Sequence, residues 1–149
     1  MPDILHRISI DAPTERVHEL IATTDGIGRW WTGRPLDGTA EIGGRFGVYF
    51  GDAEKPAAIM RVVADTSGEI TWRVEEGPDS WIDTAITFTL RAHGDDGTTL
   101  LFTHAGWEEA SEFMSGCSTN WGAYLTSLKI GAESGQFAAY PHGEISRWS

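Results

Sequence analysis

The sequence predicts an α+β fold in which a curved antiparallel sheet wraps round a long C-terminal helix. Residues 39–107 alternate between apolar and polar side chains, with Gly- and Asp-rich turns about every ten residues, which is typical of consecutive strands. Residues 110–135 instead repeat apolar side chains at helical spacing. Because a sheet with one apolar face needs a cover, the long helix is expected to pack against it.

The N-terminal part predicts one strand followed by two short helices. Residues 4–10 alternate in polarity, which indicates the first strand. A helix is expected to begin near Pro13, because proline is tolerated in a first helical turn. A shorter helical segment, residues 24–31, is expected to end at Gly33. The adjacent pair Trp30-Trp31 cannot share one helix face, so one ring is expected to face the core and the other a groove or its rim.

Five more strands are expected, which gives the sheet about six. Their predicted bounds are 45–50, 57–65, 69–76, 81–93 and 98–105. Short loops join them, so neighbours in the chain are antiparallel neighbours in the sheet. One face of the sheet is expected to be exposed to solvent, because polar side chains occupy the alternate positions Arg61, Thr71, Arg73, Thr87 and Thr89.

The C-terminal helix is predicted over residues 110–135. Three glycines, Gly116, Gly122 and Gly131, lie within it, and each costs about 1 kcal/mol relative to alanine. The helix is therefore expected to be held by packing rather than by propensity. The tail, residues 137–149, has no periodic pattern, and residues 1–149 are expected to form a single domain.

Charge excludes several classes of partner. The formal net charge is −11 and the isoelectric point is near 4.7, so neither nucleic acid nor an anionic membrane surface is expected to bind.

No apolar run approaches the ~20 residues of a membrane span. The N-terminus has no leader pattern, and a lone cysteine, Cys117, allows no intramolecular disulfide. A cytoplasmic location is expected.

No metal or cofactor is expected either. The histidines are scattered and have no metal-binding spacing. Gly26 and Gly28 do not follow a strand, so they are not a dinucleotide fingerprint. The carboxylates of Asp95 and Asp96 lie in a predicted hairpin turn, which accounts for them without calcium. Cys117 is expected to act as a small hydrophobic residue.

Several short motifs carry a resemblance to a known superfamily. They are Pro13-Thr14-Glu15-Arg16-Val17, Trp30-Trp31-Thr32, Gly43-Gly44-Arg45-Phe46, Thr103-His104-Ala105-Gly106-Trp107, and residues 116–135 with Trp121-Gly122 and Leu125-Thr126-Ser127-Leu128. With the order of elements, they make the chain resemble the START-like, or SRPBCC, helix-grip superfamily, in the branch named after the activator of the heat-shock-protein ATPase. The resemblance implies lipid and hormone carriers, polyketide cyclases, stress-related binding proteins and co-chaperone domains as relatives.

The predicted binding site is the gap between the sheet and the C-terminal helix. Its walls are expected to be inward strand residues, the apolar helix stripe and the tryptophan pair. The ligand-binding residues predicted in this way are Trp30, Trp31, Phe46, Val48, Met60, Trp72, Ile86, Phe88, Phe102, His104, Met114, Cys117, Trp121 and Tyr124. The alternative is that these side chains simply fill the space, as in any packed core.

The sequence is compatible with three hypotheses for the function of this protein. The leading hypothesis is binding of a small hydrophobic, lipid- or polyketide-like molecule, with His104 and Tyr124 as polar anchors. The second is an enzyme of the cyclase or dehydratase type, in which His104 moves a proton. The third is a co-chaperone-type protein-interaction domain, against which the polar outer positions count. The alternative role for His104, and the one favoured, is an ordinary buried hydrogen bond to a backbone carbonyl or to Tyr124, and a homodimer stays open.

Overall fold

The computed structural model describes residues 1–148 and places a curved sheet over one long helix. The strands are β1 (Ile4–Ile10), β2 (Asp37–Gly38), β3 (Arg45–Val48), β4 (Ala58–Thr66), β5 (Glu69–Glu76), β6 (Ala85–His93) and β7 (Gly97–Ala105). The helices are α1 (Thr14–Ala22), α2 (Thr24–Ile27) and α3 (Glu112–Ser134), and a π-helical turn, Gly28–Thr32, continues α2. The α+β prediction is confirmed.

All strand pairs are antiparallel, in the order β1-β7-β6-β5-β4-β3-β2. The first strand returns beside the last, with Ile4 opposite His104. Register shifts interrupt the β4–β5 pair between Ile59 and Met60 and again after Val62. Such bulges bend a strand and increase its twist, so they help the sheet to curl round α3.

The sheet has seven strands, one more than expected. The additional strand, β2, is only two residues long, which is too short to produce an alternating pattern. The strand predicted from residue 81 begins only at Ala85. Before it, the N–H of Trp81 donates to the Pro78 carbonyl and that of Thr84 donates to the Trp81 carbonyl, so the chain turns here, although Asp83 and Thr84 still bond to Val74 of β5.

The helix ends follow local capping chemistry. The Ser111 hydroxyl accepts a hydrogen bond from the Met114 backbone N–H at 3.1 Å, which fixes the start of α3. Gly135, with φ of 80°, ends it in the left-handed conformation that glycine tolerates. The Thr23 hydroxyl caps α2 in the same way as Ser111 caps α3.

The concave face of the sheet is filled by interlocking aromatic rings. Trp72 lies 5.0 Å from Phe46 and 4.8 Å from Phe88, measured between ring centroids, and Phe88 lies 5.3 Å from Phe102. All four side chains are buried. Truncating a buried ring of this kind to alanine typically costs about 3–5 kcal/mol, so this cluster is the main source of stability on this face.

Residues 137–148, here called the C-terminal strap, run back along α3 without forming a helix or strand. The Ala138 N–H donates to the Ser127 hydroxyl at 2.9 Å, and the Tyr140 N–H donates to the Trp31 carbonyl at 2.9 Å. A Cβ atom at Gly131 would overlap the Phe137 ring. The glycine in α3 that looked costly is therefore what lets the strap lie close to the helix. None of the described helices is long and apolar enough to cross a membrane.

Candidate binding pocket

A pocket of about 210 Å³ opens between α3, the π-helical turn and the C-terminal strap. It lies at the end of the strands where the β3–β4 and β5–β6 connections meet. These two connections are at the same end because β3 and β5 run in the same direction. Most of its wall is aromatic. It is lined by Trp31, Phe50, Ala57, Trp81, Cys117, Asn120, Trp121, Tyr124, Tyr140, Glu144 and Trp148.

Four of the predicted binding residues line this pocket. Trp31 reaches it from the π-helical turn, while Cys117, Trp121 and Tyr124 reach it from the buried stripe of α3. The spacing of these three helix residues at 117, 121 and 124 places them on one face, as the periodicity predicts. These four residues are therefore where the predicted site and the observed pocket coincide.

The other predicted residues lie outside the pocket wall. Trp30 is fully buried and its indole N–H donates to the Leu20 carbonyl at 2.8 Å, so only one ring of the tryptophan pair faces the pocket. Met114 is only half-buried. The strand residues form the packed interior, where they fill the space themselves; they are Phe46, Val48, Met60, Trp72, Ile86, Phe88 and Phe102.

His104 also lies beneath the pocket rather than in its wall. Its Nδ1 accepts a hydrogen bond from the Trp121 indole N–H at 3.2 Å, so its Nε2 carries the proton and donates to the Thr84 hydroxyl at 2.8 Å. The Thr84 hydroxyl donates in turn to the Trp81 carbonyl. Burial lowers the pKa of His104 to about 3, which keeps the ring neutral. Both ring nitrogens are occupied, and neither is available as the polar anchor that the sequence predicts.

The seven lining residues that the predicted set does not include lie in loops, in the C-terminal strap and at one polar helix position; of these, only Trp81 was considered as a rim residue, from its place at a predicted strand end. They are Phe50, Ala57, Trp81, Asn120, Tyr140, Glu144 and Trp148. One signal was available in the sequence. Asn120 lies at helical spacing from Cys117 and Tyr124, and a polar side chain on an apolar stripe needs a partner.

Asn120 fastens the C-terminal strap to α3. Its Oδ1 accepts hydrogen bonds from the backbone N–H groups of Ile145 and Ser146, both at 2.8 Å, and its Nδ2 donates to the Ser146 carbonyl at 2.7 Å. A Cβ atom at Gly143 would overlap the Tyr124 ring, so the strap passes directly over that side chain. These contacts position Tyr140, Glu144 and Trp148 as the outer wall of the pocket.

Most of the pocket wall is apolar, and Glu144 is its one acidic side chain. Burial raises the pKa of Tyr124, and the nearby charge of Glu144 raises it further, so the phenol stays protonated. Burial also raises the pKa of the Cys117 thiol to about 11, which leaves it unreactive, although the Trp81 indole opposes this rise. The indole N–H of Trp81 faces the Cys117 thiol, a weak acceptor, and has no nitrogen or oxygen partner among residues 1–148.

No group of three or more potential metal ligands occurs among the described residues. His18 is paired with Asp65 at 2.8 Å, and the Nε2 of His6 lies 3.1 Å from the Ser118 carbonyl oxygen. Neither histidine lines the pocket, and both have structural partners. The chemistry that the pocket offers is therefore that of aromatic faces, one carboxylate and two phenols.

Comparison with known proteins identifies the family. Residues 11–133 match the family described as activator of Hsp90 ATPase homolog 1-like protein. The chain belongs to this family. The match covers α1 to α3 and ends just before the C-terminal strap. No curated protein matches the chain.

Solved structures agree with this assignment. The Aha1 dimer from Colwellia psychrerythraea is 32% identical with a TM-score of 0.79, over 91% of this chain and 98% of that one. CalU16 from Micromonospora echinospora is 23% identical with a TM-score of 0.71, over 96% of this chain and 71% of that one. DynU16, a protein of the dynemicin biosynthetic locus, is 18% identical with a TM-score of 0.71, over 90% of this chain and 48% of that one.

The resemblance to the START-like helix-grip superfamily is thus confirmed, with the heat-shock ATPase activator branch as the closer group. The two less similar structures, CalU16 and DynU16, show the shared fold alone. The helix-grip fold, in which a curved sheet wraps round a long helix, is a ligand-binding fold. Which ligand occupies it must be argued from the pocket itself.

Proposed function

We propose that this protein binds a small, mainly apolar molecule in the pocket between α3 and the C-terminal strap. The observation that carries the proposal is the pocket itself, since the adjoining interior is filled by interlocked rings while this space is not. Apolar concave pockets with a few polar groups are the usual form of small-molecule sites.

The size of the pocket limits the ligand. A cavity of about 150 Å³ is sufficient for benzene, and sites for larger drug-sized ligands span about 300–1,000 Å³. At about 210 Å³ the pocket has room for one substituted ring or a short branched chain. A full-length acyl chain or an unfolded polyketide would extend beyond it. The expected ligand is therefore a small molecule, or one end of a larger lipid- or polyketide-like molecule.

A titration with small uncharged compounds tests the proposal. We expect phenol, toluene or cyclohexanol to raise the melting temperature and to change the intrinsic fluorescence, because four tryptophans line the pocket: Trp31, Trp81, Trp121 and Trp148. Calorimetry then gives the affinity. If none of these compounds changes either signal, the proposal fails.

A variant that fills the pocket makes the test specific to this site. Ala57 lies in the pocket wall and is only partly buried, so Ala57→Leu adds bulk there without removing an aromatic ring. We expect it to weaken binding by about tenfold or more, which corresponds to about 1.4 kcal/mol. Ala92→Leu, at an exposed position near the end of β6, is the matched control and should leave binding unchanged.

A protein partner is a second candidate, favoured by membership of the Hsp90-activator-like family. Such a domain should bind the middle domain of an Hsp90-type chaperone in a pull-down, and the association should persist at high salt. The outer face offers little apolar area for this, because its Arg45, Arg61 and Glu75 side chains are joined in ion pairs.

A homodimer is supported by the dimeric Colwellia protein, and sedimentation velocity would reveal it. A cyclase-like reaction through His104 has no comparable support, since both of its ring nitrogens are engaged.

A further inference from the structure

Five aromatic side chains of the pocket form a closed circuit. The ring centroids of Trp31 and Trp121 are 4.9 Å apart, those of Trp121 and Trp81 6.1 Å, and those of Trp81 and Trp148 5.4 Å. Phe50 closes the circuit, at 6.2 Å from Trp148 and 6.0 Å from Trp31. All five residues line the same pocket, and together they are called the aromatic cage.

The charge beside the aromatic cage has one sign. Glu144 is the only charged side chain in the pocket wall, which contains no Lys, Arg or His. It forms no ion pair with any residue in the part of the chain that the structure describes. The net charge of −11 reinforces this sign, so an anionic ligand would be repelled both at long range and within the pocket.

We propose that the pocket selects a small organic cation, a substituted ammonium with an apolar body, over neutral or anionic molecules of the same shape. This inference rests on the proposed function and names the class of ligand. A cation is attracted to an aromatic face when it lies within about 6 Å of the ring centroid, and tryptophan is the strongest such partner. Several rings acting on one desolvated cation, with a carboxylate nearby, favour it over its uncharged counterpart.

Three compounds of nearly equal shape test this inference. They are choline, its neutral carbon isostere 3,3-dimethylbutan-1-ol, and the anion 3,3-dimethylbutanoate. We expect calorimetry to give choline an affinity about tenfold to thirtyfold higher than that of the neutral alcohol, with no measurable binding of the anion. Equal or stronger binding of the neutral alcohol, or of the anion, would overturn the inference.

A matched pair of variants locates the effect. Glu144→Gln should lower the choline affinity by about threefold to tenfold and leave the neutral alcohol unaffected, because only the charge interaction is lost. Glu41→Gln removes the same formal charge from an exposed turn away from the pocket and should change neither affinity by more than about twofold. If both variants weaken choline equally, the charge selection does not come from this pocket.

The two proposals can fail separately. If phenol or toluene binds and is blocked by Ala57→Leu while choline shows no advantage over its isostere, the cation inference is overturned and the proposed function stands. If no compound of either set binds, both are overturned. Binding of phenol or toluene together with preferred binding of choline, both abolished by Ala57→Leu, supports both.

Discussion

At the residue scale, His104 shows how a polar group on an apolar wall is kept neutral. The sequence leaves two roles open for it, a ligand contact and an ordinary buried hydrogen bond. The structure gives both of its ring nitrogens to the protein, one to Trp121 and one to Thr84. Since Trp121 lines the pocket, His104 orients a wall residue instead of touching a ligand.

This arrangement predicts a pH dependence of stability. The pKa of His104 is about 3 in the folded chain and about 6.5 when the chain is unfolded, so below the higher value only the unfolded state takes up the proton. The contribution is therefore complete above that value and is lost as the pH falls towards the lower one. Its slope is about 1.4 kcal/mol per pH unit.

Urea unfolding at about pH 7.5, 6 and 5 measures this slope. His104→Gln keeps a hydrogen-bonding side chain but does not titrate, so its stability should fall less steeply over the same range. Glu75 and Glu133, whose pKa values are lowered in the fold by ion pairs and hydrogen bonds, are present in both proteins and cancel in the comparison. Parallel curves for the two proteins would contradict the assignment.

At the scale of elements, the C-terminal strap completes the pocket, and Asn120 holds it. Three hydrogen bonds join this one side chain to the backbone of Ile145 and Ser146. Asn120→Ala should therefore cost about 1–3 kcal/mol and release the strap from α3. We expect the amide protons of Ile145 and Ser146 to exchange at least about tenfold faster in this variant.

The adjacent exposed residue supplies the control for Asn120. Thr119 lies next to it on α3 and bonds only to the Ser115 carbonyl within the helix, so Thr119→Ala should leave the exchange of the strap unchanged. Hydrogen exchange measured by NMR distinguishes the two variants. Unchanged protection of Ile145 in Asn120→Ala would show that the strap is held by its aromatic contacts instead.

The elements differ in how far the sequence could predict them. Strand alternation placed residues such as Trp72 and Phe102 on the inner face, where they are buried. It could not show that their rings interlock, because that depends on centroid spacings between different strands. The strap escaped prediction because its contacts are non-local and follow no period, as with Tyr140, whose N–H bonds to Trp31. Gly131, which makes room for Phe137, was visible in the sequence only as an unexplained cost.

At the scale of the whole molecule, charge acts on stability as well as on ligand choice. The chain has 22 Asp and Glu residues against 11 Lys and Arg, so repulsion between carboxylates outweighs the attraction in its ion pairs. Those ion pairs, such as Arg45 with Glu75, lie at the partly exposed surface, where each is worth at most about 1 kcal/mol. Salt screens both kinds of interaction, but the repulsive ones are more numerous.

We therefore expect the melting temperature at pH 7 to rise, by about 2–4 °C, when sodium chloride increases from about 20 mM to about 300 mM, which shortens the screening length to well under 10 Å. The formal charge at this pH is −11, whereas near pH 4.7 it is close to zero, so the same addition should have little effect there. Differential scanning calorimetry at the two pH values makes the comparison within one protein. A fall in melting temperature at pH 7 would mean that the surface ion pairs, and not the excess of carboxylates, dominate the electrostatic free energy of folding.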